Sequence, residues 1–368
     1  MSRPGKLGGT GMSIAVDFLA QNAQQAAVVG AWLADFLAAA RTSLDIAIYD
    51  WRLAPGSAGP LRQALAARVQ AGVRVRVAYD AGKRTVPFQD AGADPAPPGT
   101  GDFVAHLGSG IASRRITGGD PRLPKLMHHK YIIRDAGTPQ AAVWTGSTNF
   151  TDDAWTLQEN NIVRIDSPEL ALYYQTDFEE LWQRGDIATT GQRDSGQVQV
   201  DGNSIDVAFA PGDGPRIDHA IARLIGEARR RLKLCTMLIT SGAILGALGD
   251  LVHAGRVPDY AGLYDRTQME SVFRQWHGTP AEWKVAAFQT VAGGLVGKNS
   301  TPYAAGTPHD FMHNKVVVAD NTVLTGSFNL SHSATENAEN VLMIANPELA
   351  DRYAAYIDSL VSRYRATS

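Results

Sequence analysis

Histidine and lysine occur twice in the chain with a spacing that could support chemistry on phosphate. The pattern His-x-Lys-x4-Asp covers residues 128–135 and is repeated at residues 313–320. An imidazole can act as a nucleophile or as a general acid and base. Lysine ammonium groups can balance the charge that spreads over a phosphoryl group in its transition state. Two such stretches in one cleft could therefore cleave a phosphodiester without a metal.

The residues after each lysine indicate that both stretches lie on β-strands. Apolar β-branched residues stand at 132–133 and at 316–318. Side chains alternate along a strand, so a histidine and a lysine two residues apart point to the same face. For this reason we assign His128 to the site rather than its neighbour His129. The predicted catalytic pairs are His128 with Lys130 and His313 with Lys315.

The aspartate that closes each stretch, Asp135 or Asp320, has a different expected role. Its side chain points to the opposite face at the end of the strand, where aspartate favours turns. We therefore expect turn formation rather than catalysis. Asp80 and Asp265 end two other matching strands with the letters Tyr-Asp. For these two residues, support of a ligand site and initiation of a turn are equally good interpretations.

Each stretch is followed by Gly-Ser-x-Asn and, further on, by Glu-Asn. Glycine lets the backbone approach a site closely, and serine and asparagine supply neutral donors for phosphate oxygens. The predicted phosphate contacts are Ser147, Asn149, Ser327 and Asn329. A carboxylate can orient an imidazole by holding its other nitrogen, and Glu159 and Glu339 lie 180 residues apart, as Thr145 and Thr325 do. We assign both glutamates as partners of the histidines; helix capping or pairing with a surface arginine is the alternative.

These motifs are part of a repeat that extends along most of the chain. Segments 145–162 and 325–342 share Thr-Gly-Ser-x-Asn, and helical stretches, apolar strands and Ala-Gly helix ends precede both in the same order. Alternating strands and helices predict an α/β fold of two similar α/β/α sandwich domains with mixed sheets. A pseudo-twofold axis between the domains would place the site at their interface. Residues 184–214 are rich in Gly, Asp, Ser and Thr, so we predict domains 1–195 and 196–368.

Composition limits the classes of partner and cofactor. The formal net charge is −3, which gives no sign of the strongly basic face that coats long nucleic acid. The single cysteine, Cys235, excludes an intramolecular disulfide and a cysteine-based zinc cluster, and it is expected in the core. The first residues lack a signal-peptide pattern, and no apolar run has the length of a membrane span. We expect a cytoplasmic protein without metal or cofactor and, because one chain carries both motifs, a monomer.

Several aromatic residues and histidines have weaker assignments. Tyr49, Trp51 and Trp155 could contact substrate, although packing in the core is the simpler interpretation. His309, shortly before the second stretch, could line the mouth of the cleft. The histidines expected in loops or at the surface are His129, His277 and His332.

The paired His-x-Lys-x4-Asp motifs with Gly-Ser-x-Asn resemble the phospholipase D superfamily over nearly the whole chain. The resemblance implies the two-domain fold of that family and a reaction in two steps through a phosphohistidine. One histidine attacks phosphorus, and the other protonates the leaving oxygen and then activates water. By the same resemblance His128 is the nucleophile and His313 is the acid and base, although the near symmetry of the sequence leaves that order open.

The first candidate substrate is nucleic acid, either DNA or RNA. The second motif continues as Gly-Ser-x-Asn and Glu-Asn-Val, which is similar to the nuclease branch of the family. A basic run before the first site could track a phosphate backbone, or it could be a solvated loop. The run consists of Arg114, Arg115, Arg122, Lys125 and Lys130, with Asp120 as the opposing charge. We take a nuclease as the main expectation.

The second candidate substrate is a phospholipid, cleaved by a phospholipase D or a phosphatidyltransferase. Two motifs in one chain fit this alternative, and the long, Gly-rich segment Ala286 to Phe311 could form a lid over a lipid pocket. The absence of a basic amphipathic helix in the sequence argues against it. A third hypothesis, a scaffold that binds nucleic acid through a dead site, is disfavoured by the intact histidines and lysines.

Overall fold

The computed structural model describes residues 13–81, 99–119, 125–304 and 307–366 of the chain. The strands are β1 (Ile14–Leu19), β2 (Ser43–Ile48), β3 (Trp51–Arg52), β4 (Arg74–Asp80), β5 (Ile111–Ile116), β6 (Lys130–Arg134), β7 (Ala142–Gly146), β8 (Phe150–Thr151), β9 (Asn160–Asp166), β10 (Gly196–Val200), β11 (Asn203–Ala210), β12 (Arg231–Thr236), β13 (Asp259–Asp265), β14 (Leu295–Lys298), β15 (Lys315–Ala319), β16 (Thr322–Gly326) and β17 (Glu339–Ala345). The helices are α1 (Ala26–Ala38), α2 (Pro55–Gln70), α3 (Thr100–Ala105), α4 (Asp152–Thr156), α5 (Pro168–Arg184), α6 (Gly214–Glu227), α7 (Gly242–His253), α8 (Arg266–Trp276), α9 (Trp283–Ala292) and α10 (Pro347–Arg365), with a short 3-10 helix at His332–Thr335.

Within these ranges the strands form two mixed sheets with the same internal order. The first, of seven strands, runs β1-β9-β7-β6-β2-β4-β5, and the second, of eight, runs β10-β11-β17-β16-β15-β12-β13-β14. In each sheet one set of three neighbours is parallel, β2-β4-β5 or β12-β13-β14, and the other pairings are antiparallel. Strands β3 and β8 form a separate pair. The predicted α/β fold with mixed sheets is confirmed, whereas the domain boundary near residue 195 stays a prediction.

One apolar core joins the two sheets. It contains residues of both sheets and of helices α5 and α10, including Tyr131, Tyr174, Phe209 and Tyr353. The ring of Tyr174 packs edge-on against Tyr131 and Phe209, with centroids 5.0 Å apart in both pairs. Because each buried aromatic ring removes a large apolar area from water, this shared core holds the halves together. The outer faces are covered by α1 and α2 in the first half and by α6 and α7 in the second.

The two helices in the shared core begin with the same local device. The side chains of Ser167 and Asn346 cap α5 and α10 by accepting the backbone N–H of Leu170 and Leu349 at 3.1 and 2.8 Å. Each cap is followed by proline at the first helical position, where its missing N–H leaves no bond unmade. Each cap directly follows β9 or β17, the strand of its half that comes last along the chain. Helices α5 and α10 therefore enter the core at corresponding places.

The aspartates of the motifs, Asp135 and Asp320, end the central strands β6 and β15. Both have a positive φ, 54° and 50°, which aspartate tolerates in turns. Each carboxylate accepts three successive backbone N–H groups, from residues 41–43 in the first half and 229–231 in the second. These bonds tie the end of the motif strand to the start of its neighbour, β2 or β12. The predicted turn-forming role is confirmed, at the opposite end of the strand from the histidine.

The segment Ala286–Phe311 does not form the predicted lid over its whole length. Its first part completes α9 and its next part is strand β14, which pairs in register with β13. Apolar residues of these elements, such as Phe288, Val291 and Val296, are buried, which explains why they fold into the domain. Among the helices in the described ranges, none combines the length and the apolar character needed to span a bilayer.

Candidate active site

The two histidines of the motifs lie at the junction of the halves, and each is bonded to the other half through its backbone. The N–H of His128 donates to the carbonyl of Ala338 at 2.9 Å, and the N–H of His313 donates to that of Glu159 at 3.1 Å. Both residues are only 6% exposed. Burial lowers the pKa of each imidazole, and the charges of the lysines of both motifs lower it further. The structure thus brings the four predicted catalytic residues together.

Asp80 and Asp265, at the ends of β4 and β13, hold the residue that precedes each histidine. Asp80 Oδ1 accepts the N–H of Met127 at 2.8 Å, and Asp265 Oδ2 accepts that of Met312 at 3.0 Å. The sequence left support of the site and turn initiation equally open for these aspartates. Their bonds to the backbone beside each histidine favour a role in supporting the site, because the direction of the chain there determines where each imidazole lies.

Lys130 and Lys315 are each folded back onto their own motif. Each Nζ donates at 2.6 Å to the carbonyl of the histidine two residues earlier, and both side chains are buried. Burial lowers the pKa of Lys130 to about 7. Burial and the nearby charge of Lys130 lower the pKa of Lys315. An anion that binds near both amines favours their protonated forms, so a bound phosphodiester would raise both pKa values again.

Burial also lowers the pKa values of His128 and His313 well below their ordinary value, with the charges of the two motif lysines acting in the same direction. Both imidazoles are therefore neutral near pH 7 when the site is empty. A neutral imidazole has a proton on one nitrogen and a lone pair on the other. The partner of Nδ1 decides which nitrogen carries the proton.

Glu339 is the partner of His128. Its Oε2 lies 2.8 Å from Nδ1 of His128, so Nδ1 carries the proton and Nε2 presents its lone pair to the site. Burial raises the pKa of Glu339 to about 7, although Lys130 and the hydroxyl of Ser327 act against this rise. The carboxylate belongs to the second half and the imidazole to the first. Glu339 thus lies where the sequence placed it, and the halves complete one another.

Asn160, and not Glu159, is the partner of His313. The Oδ1 of Asn160 lies 3.0 Å from Nδ1 of His313, while its Nδ2 donates to Ala154 and Gln158, which fixes the orientation of the amide. The prediction for Glu159 is therefore wrong. Among the described residues, its carboxylate makes no ion pair with a histidine and binds Lys298 instead.

Glu159 was assigned wrongly because the first half has one residue more than the second half between the motif serine and the strand that follows it. Ser147 accepts the N–H of Asn161, 14 residues later, whereas Ser327 accepts that of Asn340, 13 residues later. The extra residue lies where the first half has helix α4 and the second has a 3-10 helix. Strand side chains alternate, so a slip of one residue turns a side chain to the other face. The structural counterpart of Glu339 is Asn160, and that of Glu159 is Ala338.

The serines of the motifs support the histidine partners. Ser147 Oγ donates to Asn160 Oδ1 at 2.7 Å, and Ser327 lowers the pKa of Glu339 through a hydrogen bond. Both serines are buried, as the two motif lysines are, and their role as phosphate donors stays a prediction. The amide oxygens of Asn149 and Asn329 are buried and, in the part of the chain that the structure describes, have no hydrogen-bond partner. These two amides remain the candidates for contact with substrate.

The glycines before these serines allow the close strand packing that the site needs. Gly146 and Gly326 have φ values of 130° and 141°. A Cβ atom at either position would collide with a backbone carbonyl, that of Asn161 or of Asn340. The close approach that these glycines permit is to the neighbouring strand, and the expected approach of the backbone to the site itself stays a prediction.

Among the aromatic candidates, Tyr49 lies at the site. Its ring centroid is 4.9 Å from that of His128 and 5.0 Å from Nζ of Lys130. Trp51 and Trp155 are buried in the core, as the simpler interpretation has it.

The other histidines and the cysteine have mixed outcomes. His309 stacks on Tyr303 and on Phe311, with centroids 5.2 Å apart in both pairs. His129 is fully buried, with Nε2 3.2 Å from Asp177, so its expected place in a loop or at the surface is wrong. The structure places His277 and His332 at the surface and Cys235 in the core, as predicted.

The basic run before the first motif does not form a single track. Arg114 donates to the carbonyl of Gln183, and Lys125 pairs with Glu336. Arg115 is exposed on β5 and Lys130 is buried in the site. Arg122 and Asp120 lie outside the described residues. Within the described ranges, no cluster of three or more His, Cys, Asp or Glu side chains is arranged to hold a metal ion.

Comparison with known proteins gives a match over most of the chain. A family model described as "Cardiolipin synthase, PLD-like domain" matches residues 33–182 and 221–361. Mitochondrial cardiolipin hydrolase of Xenopus laevis is 37% identical over 91 residues, which are 24% of this chain and 41% of that protein. Phospholipase D of Rickettsia bellii (strain RML369-C) is 31% identical over 157 residues, which are 42% of this chain and 68% of that protein. The chain thus spans less than half of the length of the first of these relatives.

A solved structure supports the same fold over both halves. Phosphatidylserine synthase of Haemophilus influenzae Rd KW20 superposes with a TM-score of 0.63 at 14% identity, covering 94% of this chain and 87% of that one. At this identity the likeness concerns the fold alone.

Proposed function

This chain belongs to the phospholipase D superfamily and is a phosphodiesterase of that type; from this premise we propose that it acts on phospholipids through a phosphohistidine on His128. The choice of a phospholipid substrate rests on the names of the two relatives described above, cardiolipin hydrolase and phospholipase D. The main expectation from the sequence, a nuclease, finds less support, since Arg114 and Lys125 of the basic run bind separate partners.

The first chemical step uses both imidazoles. Nε2 of His128 attacks phosphorus and forms a P–N bond, while the bond from phosphorus to the headgroup oxygen breaks. His313 gives its Nε2 proton to that oxygen, so the headgroup leaves as a neutral alcohol. His313 binds this proton when substrate arrives, because a phosphodiester anion favours the protonated form of every cation around it. The products of this step are the alcohol and a phosphatidyl group on His128.

The second step reverses the proton transfer. Water attacks phosphorus, His313 takes a proton from the water, and the P–N bond breaks. Phosphatidic acid is released and His128 returns to its neutral form with Nδ1–H on Glu339. If an alcohol replaces water at this step, the same chemistry is a phosphatidyl transfer. In both steps Lys130 and Lys315 balance the charge on the phosphoryl oxygens.

The unlike partners of the two histidines support this division of roles. His128 becomes positively charged when it binds phosphorus, and the carboxylate of Glu339 at 2.8 Å stabilises that charge through a charge-assisted bond. His313 has to lose and regain a proton, and the neutral amide of Asn160 does not hold it in the charged form. His128 is thus better suited to be the nucleophile and His313 to be the acid and base.

The test is to incubate purified protein in EDTA with four substrates. These are phospholipid vesicles containing phosphatidylcholine and cardiolipin, single-stranded DNA, duplex DNA and RNA. We expect release of the headgroup alcohol from lipid, full activity in the chelator, and intact nucleic acid. Degraded nucleic acid with intact lipid would reverse the choice of substrate, and a requirement for added magnesium or zinc would contradict the mechanism.

A further inference from the structure

Two charged residues beside His313 have apolar counterparts beside His128. Lys298 on β14 pairs in register with the aspartate that ends β13, and Ile116 on β5 pairs in the same way with the aspartate that ends β4. Glu159 corresponds to Ala338, because each accepts the N–H of one motif histidine at its carbonyl. The first half therefore has apolar side chains at the two places where the second site has Lys298 and Glu159.

The two charges form a buried ion pair that connects the halves. Nζ of Lys298 lies 2.5 Å from Oε2 of Glu159, and the two residues are 1% and 0% exposed. The other carboxylate oxygen accepts the hydroxyl of Tyr364, on α10, and the N–H of Gln21 at 3.3 Å. Both oxygens of the carboxylate are therefore bonded, as burial of a charge demands. The cluster joins the segment after β1, the segment before β9, strand β14 and the last helix.

This cluster borders the backbone that holds His313. The carbonyl of Glu159 accepts the N–H of His313 at 3.1 Å, and the next residue, Asn160, holds its ring. Lys298 also acts on Asp265: burial raises the pKa of that aspartate, and the charge of Lys298 opposes the rise. Asp265 in turn binds the residue before His313. Lys298 thus binds Glu159 and neighbours Asp265, the two residues that hold the backbone at His313.

We propose that the Glu159–Lys298–Tyr364 cluster is a positioning device for His313. An amide holds an imidazole less firmly than a carboxylate does, because the bond is not charge-assisted. His128 has Glu339 and needs no further support, so Ile116 and Ala338 suffice beside it. His313 has only the amide of Asn160, and the ion pair keeps that amide in place. The proposal rests on His313 being the acid and base of the proposed function.

The experiment separates the two chemical steps with bis(p-nitrophenyl) phosphate. Nitrophenolate leaves without a proton, so the first step needs no acid, whereas attack of water on the phosphohistidine needs His313 as base. A misplaced His313 therefore leaves a burst of about one nitrophenolate per enzyme and slows the turnover that follows. Loss of folded enzyme lowers the burst and the turnover together.

Two variants and a control distinguish positioning from stability. In Lys298→Met we expect a full burst and a turnover reduced roughly tenfold. The pair Lys298→Ile with Glu159→Ala copies the first half and leaves no charge unpaired, so we expect it to regain the wild-type Tm while turnover stays slow. The control Lys233→Met removes a lysine of β12, in the same sheet as Lys298, that is 4% exposed and pairs with Asp259 and Asp358. It should lower the Tm without changing the ratio of turnover to burst.

Two results would overturn the proposal. One is an equal loss of burst and turnover in Lys298→Met, and the other is wild-type turnover in the double variant. Failure of the proposed function would look different, because wild-type protein would then show neither a burst nor turnover on this diester. Turnover of the diester with no action on vesicles would contradict only the choice of a lipid substrate.

Discussion

The two halves contribute matching residues to the site, but they differ in the atom that contacts Nδ1 of each histidine. In both, an aspartate holds the residue before the histidine and the lysine binds the histidine carbonyl. Nδ1 of His128, however, meets a carboxylate, and Nδ1 of His313 meets an amide. A duplicated fold can therefore assign unlike tasks to its copies by changing one partner of each imidazole.

The largest expected effect comes from removing either imidazole. His128→Ala and His313→Ala should each lower turnover of a lipid substrate by roughly a thousandfold or more. Only the first should also abolish the burst with bis(p-nitrophenyl) phosphate, because only His128 attacks phosphorus. Mass spectrometry of His313→Ala should find the phosphoryl adduct on His128. An adduct on His313 in the His128→Ala protein would exchange the two roles.

Glu339→Gln makes the first half resemble the second, and we expect a loss of roughly a hundredfold in formation of the phosphohistidine. The amide can still accept Nδ1–H, but it cannot stabilise the positive charge of phosphohistidine. The measurement is the rate of the burst phase. Glu336→Gln is the matched control, since Glu336 is exposed just before the strand that begins with Glu339 and pairs with Lys125. A normal burst rate in Glu339→Gln would remove the difference between the halves.

The pH dependence of kcat/KM should report on the lysines of the empty site. Burial lowers the pKa of Lys130 to about 7, and the protonated form is the one that binds phosphate. This form is lost as pH rises through that value, so kcat/KM for bis(p-nitrophenyl) phosphate, whose first step needs no acid, should fall about fivefold between pH 7 and pH 8. The corresponding fall in kcat should occur at higher pH, because bound phosphate favours the ammonium form of the lysine. A flat kcat/KM up to pH 9 would contradict the lysine assignment.

The smallest expected effect comes from giving the second half a carboxylate. Asn160→Asp places an oxygen of negative charge beside Nδ1 of His313, which should raise the pKa of that imidazole. The pH at which kcat falls because His313 loses its proton should then rise by about one unit. Asn321→Asp, which makes the same substitution at an exposed position between β15 and β16, is the comparison variant. An unshifted profile would mean that the Asn160 partner does not set the proton affinity of His313.

The sequence predicted much of this site from local rules. Alternation along a strand selected His128 over His129, and the turn preference of aspartate placed Asp135 and Asp320 at strand ends. Glu339 was found because its motif repeats. The same repeat misassigned Glu159, because matching letters hid the additional residue at α4. The bonds from the serines to the histidine partners could not be predicted, since only strand packing in the folded chain brings these residues together.

Residue types and spacing along the chain were enough for the family, the α/β fold and both His-x-Lys pairs, because strand periodicity and motif spacing are properties of neighbouring residues. The partners of each imidazole depend on contacts across the two halves, between residues more than 150 positions apart. Lys298 is an isolated lysine in the sequence, and its ion pair with Glu159 exists only because β14 and α10 meet the first half there. Such contacts follow from how the sheets pack, and packing is decided by the whole chain at once.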